Sequence, residues 1–305
     1  MEVRDLSKEN RHMVFYNYWH YGDLFTTRAW VKDIMSQLPN WHFAYAHQLH
    51  ENTVLDLMPS LNKDMVHQVK CVADTYEKVI LFDNNYFINT WVGAYREHFT
   101  TRFPSYIGYH RIFGCSYKEI ESKFGIKLTL NPDVWHYIPD IDYRYFDTKI
   151  ADDFLSQQRG RTFLICNSLA NSQQTSMGDM REILETLADR YPNDTFLATQ
   201  NFRTAKKNIK FTGPHVFRKS CDLGEISYLS TKVNLIVGKN SGPSTYATTK
   251  RNLLDPSKIF LCFSHKEEDT PPYDLSINAS YRFSDVIDHD SSVALIEQAI
   301  RDINT

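Results

Sequence analysis

The chain predicts an α/β protein built on parallel, doubly wound sheets, and three observations carry that prediction. Short apolar strands alternate with segments of helical spacing along much of the 305 residues, the pattern of βαβ units. In the carboxy-terminal half a strand runs through Gly238 into a Ser-Gly-Pro turn and a helix. The amino-terminal half begins in a similar way, with a strand, a Gly-Asp loop and a helix. Two similar domains are therefore expected, residues 1–150 and 151–305, with a ligand cleft between them.

In the first half, His12-Met-Val-Phe-Tyr-Asn17 reads as a strand, 18–26 as a loop and 27–38 as a helix ended by Pro39. Trp41-His-Phe-Ala-Tyr45 and Lys78-Val-Ile-Leu-Phe82 read as further strands, and 117–124 as a helix closed by Gly125. Between 126 and 157 the periodicity gives way to Asn-Pro-Asp, Ile-Pro-Asp and many tyrosines, which marks a linker. In the second half, Arg161-Thr-Phe-Leu-Ile-Cys166 is a strand followed by a polar loop, 167–176. Ile183, Leu184, Leu187 and Ala188 have helical spacing within 180–191, and Thr195-Phe-Leu-Ala198 is the next strand. Asn208-Ile-Lys-Phe211 leads into Thr-Gly-Pro. A short helix over 223–229, with Asp222 as cap, precedes the strand at 233–237, and Lys258-Ile-Phe-Leu-Cys-Phe263 is another strand.

Composition narrows the function classes. With 42% hydrophobic and 14% aromatic residues, the chain has ample material for packed cores. A net charge of -3 leaves no electrostatic footprint of a nucleic-acid binder. No apolar run approaches the roughly 18–20 residues of a transmembrane segment, although peripheral membrane contact stays open. The charged amino terminus has no signal-peptide core. Five scattered cysteines without a Cys-x-x-Cys pair fit reduced thiols and a cytoplasmic location.

The most informative stretch is Val233-Asn-Leu-Ile-Val-Gly-Lys-Asn-Ser-Gly-Pro-Ser-Thr-Tyr-Ala247. Gly238 and Gly242 permit a sharp turn close to a ligand, and Pro243 is suited to a first helical turn. Unpaired N–H groups there, with the Ser241, Ser244 and Thr245 hydroxyls, suit an anion such as a diphosphate. An ordinary strand-to-helix turn would carry the same residues. In Tyr18-Trp-His-Tyr-Gly-Asp23, the Asp23 carboxylate stands where it could take a proton from an attacking hydroxyl, or simply cap the following helix. His20 is a second candidate for that proton chemistry, against the alternative of a packed or surface side chain.

Other spellings carry less. His42, His47 and His50 lack a Cys or carboxylate cluster to complete a metal site. Asp140-Ile-Asp142 and Asp288-His-Asp290 spell the Asp-x-Asp that holds a metal in some glycosyltransferases, yet about two such spellings are expected by chance from composition. Gly-x-Gly-x-x-Gly, a Walker A loop and a Gly-x-Ser-x-Gly elbow are all absent, which argues against dehydrogenase, NTPase and hydrolase readings.

Taken together, Gly22-Asp23-Leu-Phe-Thr-Thr and the stretch from Asp222 to Ala247 resemble the heptosyltransferase-like glycosyltransferases, family 9 and relatives. In that family a short helix precedes a strand ending in Asp-Ser-Gly-Pro-x-His-x-Ala. Phe163-Leu-Ile-Cys-Asn-Ser168 falls where the family has its first carboxy-domain strand and phosphate loop. The resemblance implies a GT-B fold: two facing Rossmann-like domains, the first for the acceptor and the second for a nucleotide-activated sugar. It implies inverting transfer from a nucleoside-diphosphate sugar to a glycan or similar hydroxyl acceptor, with no essential metal or other cofactor and with Asp23 as base. Ser241, Gly242, Pro243 and Ser244 would hold the diphosphate, with Ser168 opposite and Asn240 and Thr245 beside them. Within this reading Trp91, in an aromatic segment after a strand, would contact the acceptor; aromatic packing is the alternative.

The chain also departs from the family. Asn240 stands for the family's Asp and Tyr246 for its His, and no basic residue lies at 173–178. Lys239, Lys250 or Arg218 would have to supply that charge. Two other functions remain in view: a non-catalytic GT-B-like protein that binds a glycan or partner, and a nucleotide-sugar epimerase of the same architecture.

Overall fold

In the computed structural model the described residues are 12–49, 51–57, 77–82, 85–98, 105–168, 175, 177–213 and 222–303. They fall into two units, one of residues 1–99 and 108–137 and one of 100–107 and 138–305.

The first unit is organised by β1 (His12–Asn17), whose residues are buried from Met13 onward. Helix α1 (Tyr21–Thr26) and helix α2 (Arg28–Gln37) follow it, then β2 (His42–His47), β3 (Val79–Phe82), β4 (Asn85–Asn89) and most of α3 (Tyr106–Phe124). The sheet order is β2-β1-β4-β3. Strands β1, β2 and β4 run parallel, while the edge strand β3 pairs antiparallel with β4. Only residues 83–84 separate β3 from β4, too few for the crossover that a parallel neighbour needs. Trp30, Val31 and Ile34 of α2 are buried. The Asp33 carboxylate accepts from the Tyr117 and Tyr137 hydroxyls and from Gln37, and pairs with His136 at 2.7 Å. One buried carboxylate thus ties α2 to α3 and to the 3-10 turn Val134–Tyr137.

The second unit begins ahead of the expected boundary at residue 150. Tyr143, Phe146 and Asp140 explain why. Tyr143 Oη reaches Ser227, Phe146 packs where a Gly224 side chain would be, and Asp140 pairs with Arg251. The expected linker is therefore divided, 126–137 belonging to the first unit and 138–157 to this one, where it contains its own helix, α4 (Thr148–Ser156). There follow β5 (Thr162–Cys166), α5 (Arg181–Arg190), β6 (Thr195–Ala198), β7 (Ile209–Phe211), α6 (Leu223–Lys232), β8 (Leu235–Lys239), α7 (Gly242–Ala247), α8 (Lys250–Leu253), β9 (Ile259–Phe263), β10 (Ser280–Ser284) and α9 (His289–Asp302). All six strands are parallel, in the order β10-β9-β8-β5-β6-β7.

Alternation along the strands sorts the core. Phe163, Ile165, Leu235 and Val237 pack with Ile183, Leu184 and Leu187 of α5 and with Val293, Ile296 and Ile300 of α9. Leu197 packs instead with Ala151 of α4 and Leu229 of α6. Helices thus cover both sheet faces, as a doubly wound sheet requires. Behind β8, the buried Lys258 ammonium donates to the carbonyls of Ser230, Thr231 and Val233, satisfying the orphan carbonyls at the end of α6.

Candidate functional site

In the second unit the chain proceeds from β5 outward through β6 and β7, then returns to β8 on the other side of β5. The gap between the carboxyl ends of β5 and β8 is a topological switch point, where open α/β sheets bind ligands. Cys166 lies opposite Gly238 in that pair. Ser168 follows the first strand end and residues 240–245 follow the second, so the predicted phosphate residues are brought to one place.

Gly238 makes the close approach of α7 possible. A Cβ there would lie 2.8 Å from Cys166 Cβ and 3.1 Å from Ser244 Oγ. Ser241 is the N-cap of α7, in extended conformation, and its side chain makes no capping hydrogen bond. Its Oγ is buried without a partner. The Ser241 carbonyl accepts from both the N–H and the hydroxyl of Thr245, at 2.9 and 3.0 Å. Thr245 therefore braces the turn with the hydroxyl that the sequence offers to a ligand. Pro243 has no N–H, so Gly242 and Ser244 hold the free backbone donors of this first turn. Ser168 Oγ lies 3.1 Å from Thr199 Oγ1, and Asn167 clamps Gln200 through its N–H and carbonyl. Asn240 is buried, its N–H donating to the Phe263 carbonyl at 3.3 Å.

Of the three candidate cations, Lys239 belongs to this turn. It is 2% exposed, and its Nζ donates to the Gly178 carbonyl ahead of α5 at 3.2 Å. Burial holds the ammonium below the ordinary lysine range, and Asp179 partly offsets that. Lys250 opens α8, and Arg218 lies outside the described residues. Tyr246 is fully buried, in the core rather than among the exposed groups.

In the first unit the expected loop at 18–26 is largely helix. His20 is the N-cap of α1 and Asp23 its third residue. The His20 N–H donates to Asp23 Oδ2 at 3.2 Å, and the Asp23 carbonyl accepts from Thr26 and Thr27 hydroxyls. Burial pushes the Asp23 carboxyl up to about 6, against the lowering effect of His20. That range suits a base working near neutral pH. Tyr45 stands close enough to feel the Asp23 charge; burial first, and that charge among lesser causes, pushes its phenol up to about 12. His20 itself is exposed.

Trp91 follows β4, its N–H donating to Asn89 Oδ1 at 2.9 Å. The aromatic segment expected to follow a strand is itself partly this strand. Trp91 packs at a tilt against Trp19, a residue that the sequence motifs did not single out, with centroids 4.6 Å apart. The available signal was the repeated spelling Asn-x-Trp, at 17–19 and at 89–91.

His42 and His47 occupy opposite ends of β2, and His50 lies outside the described residues. Asp288 caps α9 through the Ser291 N–H, and Asp142 accepts from the Arg144 N–H. Among the described residues one ligand-type trio gathers, Glu97, His98 and Glu119, and the Lys78 ammonium already bridges its two glutamates. Among those residues no helix is long and apolar enough to cross a membrane.

No family model matches the sequence, and no curated protein matches it. Solved structures do. The ADP-heptose LPS heptosyltransferase II of E. coli is similar over 95% of this chain and 98% of its own, at 13% identity and a TM-score of 0.55. A family 9 glycosyl transferase from Veillonella parvula is similar over 95% and 89%, at 10% identity and a TM-score of 0.48. A UDP-GlcNAc 2-epimerase from Methanocaldococcus jannaschii, bound to UDP-GlcNAc and UDP, is similar over 95% and 92%, at 11% and 0.47. The chain has an α/β fold of the GT-B glycosyltransferase type, like the E. coli heptosyltransferase.

Proposed function

We propose that this protein is an inverting, metal-independent glycosyltransferase that moves a sugar from a nucleoside-diphosphate donor to a hydroxyl of a glycan acceptor. What supports this reading is that Ser168 follows β5 while Lys239 and Ser241 follow Gly238 at the end of β8, the two strand ends that flank the switch point, in a fold shared with a heptosyltransferase. The second unit would hold the diphosphate through the Ser241 and Ser168 hydroxyls and the Gly242 and Ser244 N–H groups, with Asn240 beside them. Lys239 would offset the charge that grows on the leaving diphosphate, the role a metal fills elsewhere.

The first unit would hold the acceptor. Asp23 takes the proton of the attacking hydroxyl, whose oxygen forms the new bond to the anomeric carbon as the bond to the diphosphate breaks. His20 supports Asp23 through its backbone rather than by exchanging protons itself. In this reading Trp91 lies on the acceptor side, and the reaction belongs to polysaccharide synthesis in the cytoplasm. Asn240 and Tyr246, in place of the family's Asp and His, favour a second reading, a GT-B-like binder without chemistry.

Calorimetry or saturation-transfer NMR against a panel of nucleoside diphosphates tests the donor side. Binding by at least one nucleotide is expected, and no binding at millimolar concentration defeats the proposal. Incubation with nucleotide sugars and acceptor then separates the readings. A transferase yields glycosylated product and free nucleotide, whereas a binder yields neither.

A further inference from the structure

Strands β1 and β4 lie side by side and parallel, Tyr16 opposite Asn89. Both end in the same spelling, Asn17-Tyr-Trp19 and Asn89-Thr-Trp91. In each, the Asn side-chain oxygen accepts from the Trp N–H two residues on, at 2.9 Å. An Asn side chain used in this way mimics a backbone turn. Like turns on neighbouring parallel strands deliver both indoles to one place, 4.6 Å apart and inclined by 31°. Asn17 Nδ2 donates to Thr90 Oγ1 at 3.3 Å, which fastens the first turn to the second.

This place is the switch point of the first sheet, since β2 lies on one side of β1 and β4 on the other. Open α/β sheets receive ligands there. The two indoles are not equivalent. Trp91 has Trp19 on one side and Gly93 on another: a Cβ at Gly93 would stand 2.1 Å from Trp91 Cζ2. Trp19 is half-exposed, yet its Nε1 is shielded from solvent and has no acceptor. Its ring meets His20 edge-on at 6.4 Å, and His20 caps the helix that carries Asp23.

We infer that the Trp19–Trp91 pair is a carbohydrate platform, with Trp19 as its contact residue and Trp91 as its support. A sugar ring of the acceptor stacks its C–H face on Trp19, whose electron-rich face attracts polarised C–H groups. A lipid chain would use the ring face and leave the adjoining exposed His20 and the polar start of α1 unused, so a polyhydroxylated ligand fits better. A sugar seated here brings its hydroxyls toward the first turn of α1. The inference rests on reading the first unit as the acceptor side, and it transfers the acceptor role from Trp91 to Trp19.

The test is an array of defined oligosaccharides probed with the full chain, followed by fluorescence titration of those retained. At least one glycan is expected to bind and to shift indole emission. Trp19→Leu, which keeps apolar packing, should weaken it tenfold or more, and Trp19→Phe, which keeps a smaller ring without the N–H, by less. Trp91→Leu should weaken it too, because it removes the support. Near-UV circular dichroism checks that each variant is folded, and Trp19→Phe serves if Trp19→Leu is not. Unaltered glycan affinity in a folded Trp19 variant overturns the platform. An array that retains no glycan, from protein that still binds a nucleoside diphosphate, overturns the platform and leaves the transferase reading intact. Glycan binding that depends on Trp19, from protein that binds no nucleotide, upholds the platform while the transferase reading fails.

Discussion

The backbone N–H of His20 and the carboxylate of Asp23 meet at 3.2 Å, so the proposed base is also the group that closes the first turn of α1. Burial lifts that carboxyl to about 6. As a base it works only when ionised, so kcat/KM should fall tenfold per pH unit below about 6 and level off above it. A pH profile with no inflection between about 5 and 7 contradicts the assignment. Asp23→Asn retains an oxygen for the His20 N–H but no proton acceptor. It should lower kcat by roughly 10²–10⁴, about 3–5 kcal/mol of transition-state stabilisation. Nucleotide affinity, which the proposal assigns to the second unit, should stay unchanged.

The same carboxyl makes a stability prediction of opposite sign. Its folded pKa, about 6, lies above the ordinary 3.8, so the folded state holds the proton more tightly than the unfolded one. Its contribution to stability is then present below pH 3.8 and lost as pH rises through 6. At pH 7 Asp23→Asn removes a poorly solvated charge and should melt at or slightly above the wild-type temperature. A clear drop in Tm at pH 7, measured by calorimetry, would mean that the carboxylate is a structural cap first.

Gly238→Ala probes how closely α7 must approach the sheet. The added methyl meets Cys166 on the next strand and Ser244 on the helix, at 2.8 and 3.1 Å. Cys166 Cβ sits on the neighbouring strand and is not the far end of a flexible side chain, so β5 and β8 must part or the helix give way with them. A destabilisation of about 1–3 kcal/mol is expected for such overpacking, with a nucleotide affinity at least tenfold weaker. Denaturant titration and calorimetry measure the two effects. Wild-type affinity in this variant would show that the turn's position is not critical to binding.

Lys258→Met should reduce stability without altering the chemistry of either site. It strips three buried carbonyl partners at the end of α6 of a charged donor. Hydrogen bonds to charged groups contribute roughly 1.5–3 kcal/mol, and the loss should reach that range by urea denaturation. A variant as stable as the wild type would mean that the carbonyls find other donors.

The legible parts of this fold are those whose local chemistry points one way. Strands β5, β8 and β9 each hold an unbroken apolar run, Phe163–Cys166, Leu235–Val237 and Ile259–Phe263, and Ser241-Gly-Pro marks the turn after β8 by residue type alone. Helix α1 escaped because His20 is a weak N-cap signal, with Ser, Thr, Asn and Asp the usual caps. Strand β10, Ser280-Tyr-Arg-Phe-Ser, is a half-exposed edge with little apolar pattern. Helix α9 has a readable Asp288 cap and apolar residues at 293, 296 and 300, but the same Asp288 is half of an Asp-x-Asp spelling, which masks its capping role. The site divides in the same way. Gly238 and Ser241 are turn chemistry, legible in one dimension. The partnership of Trp19 with Trp91 depends on β1 pairing with β4, a long-range event, and the reach of Lys239 to Gly178 depends on which sheet face it takes.

Ser241 offers the sharpest separation of function from stability. Its hydroxyl is buried, makes no cap and has no partner in the free protein. An unsatisfied buried polar group is a liability to folding, on the order of 1–3 kcal/mol. Ser241→Ala should therefore leave stability unchanged or raise it, the reverse of removing a working N-cap, which typically lowers stability by about 1 kcal/mol. If the hydroxyl waits for a phosphate oxygen, the same variant should bind nucleoside diphosphate roughly tenfold more weakly, about 1.4 kcal/mol. Lys239→Met should lose more, since it removes a buried charge, and its affinity should respond less to added salt than that of the wild type. Thermal melts and calorimetry on the two variants decide the matter. A Ser241→Ala protein that is less stable yet binds nucleotide normally would make this turn a structural corner and remove the diphosphate from it.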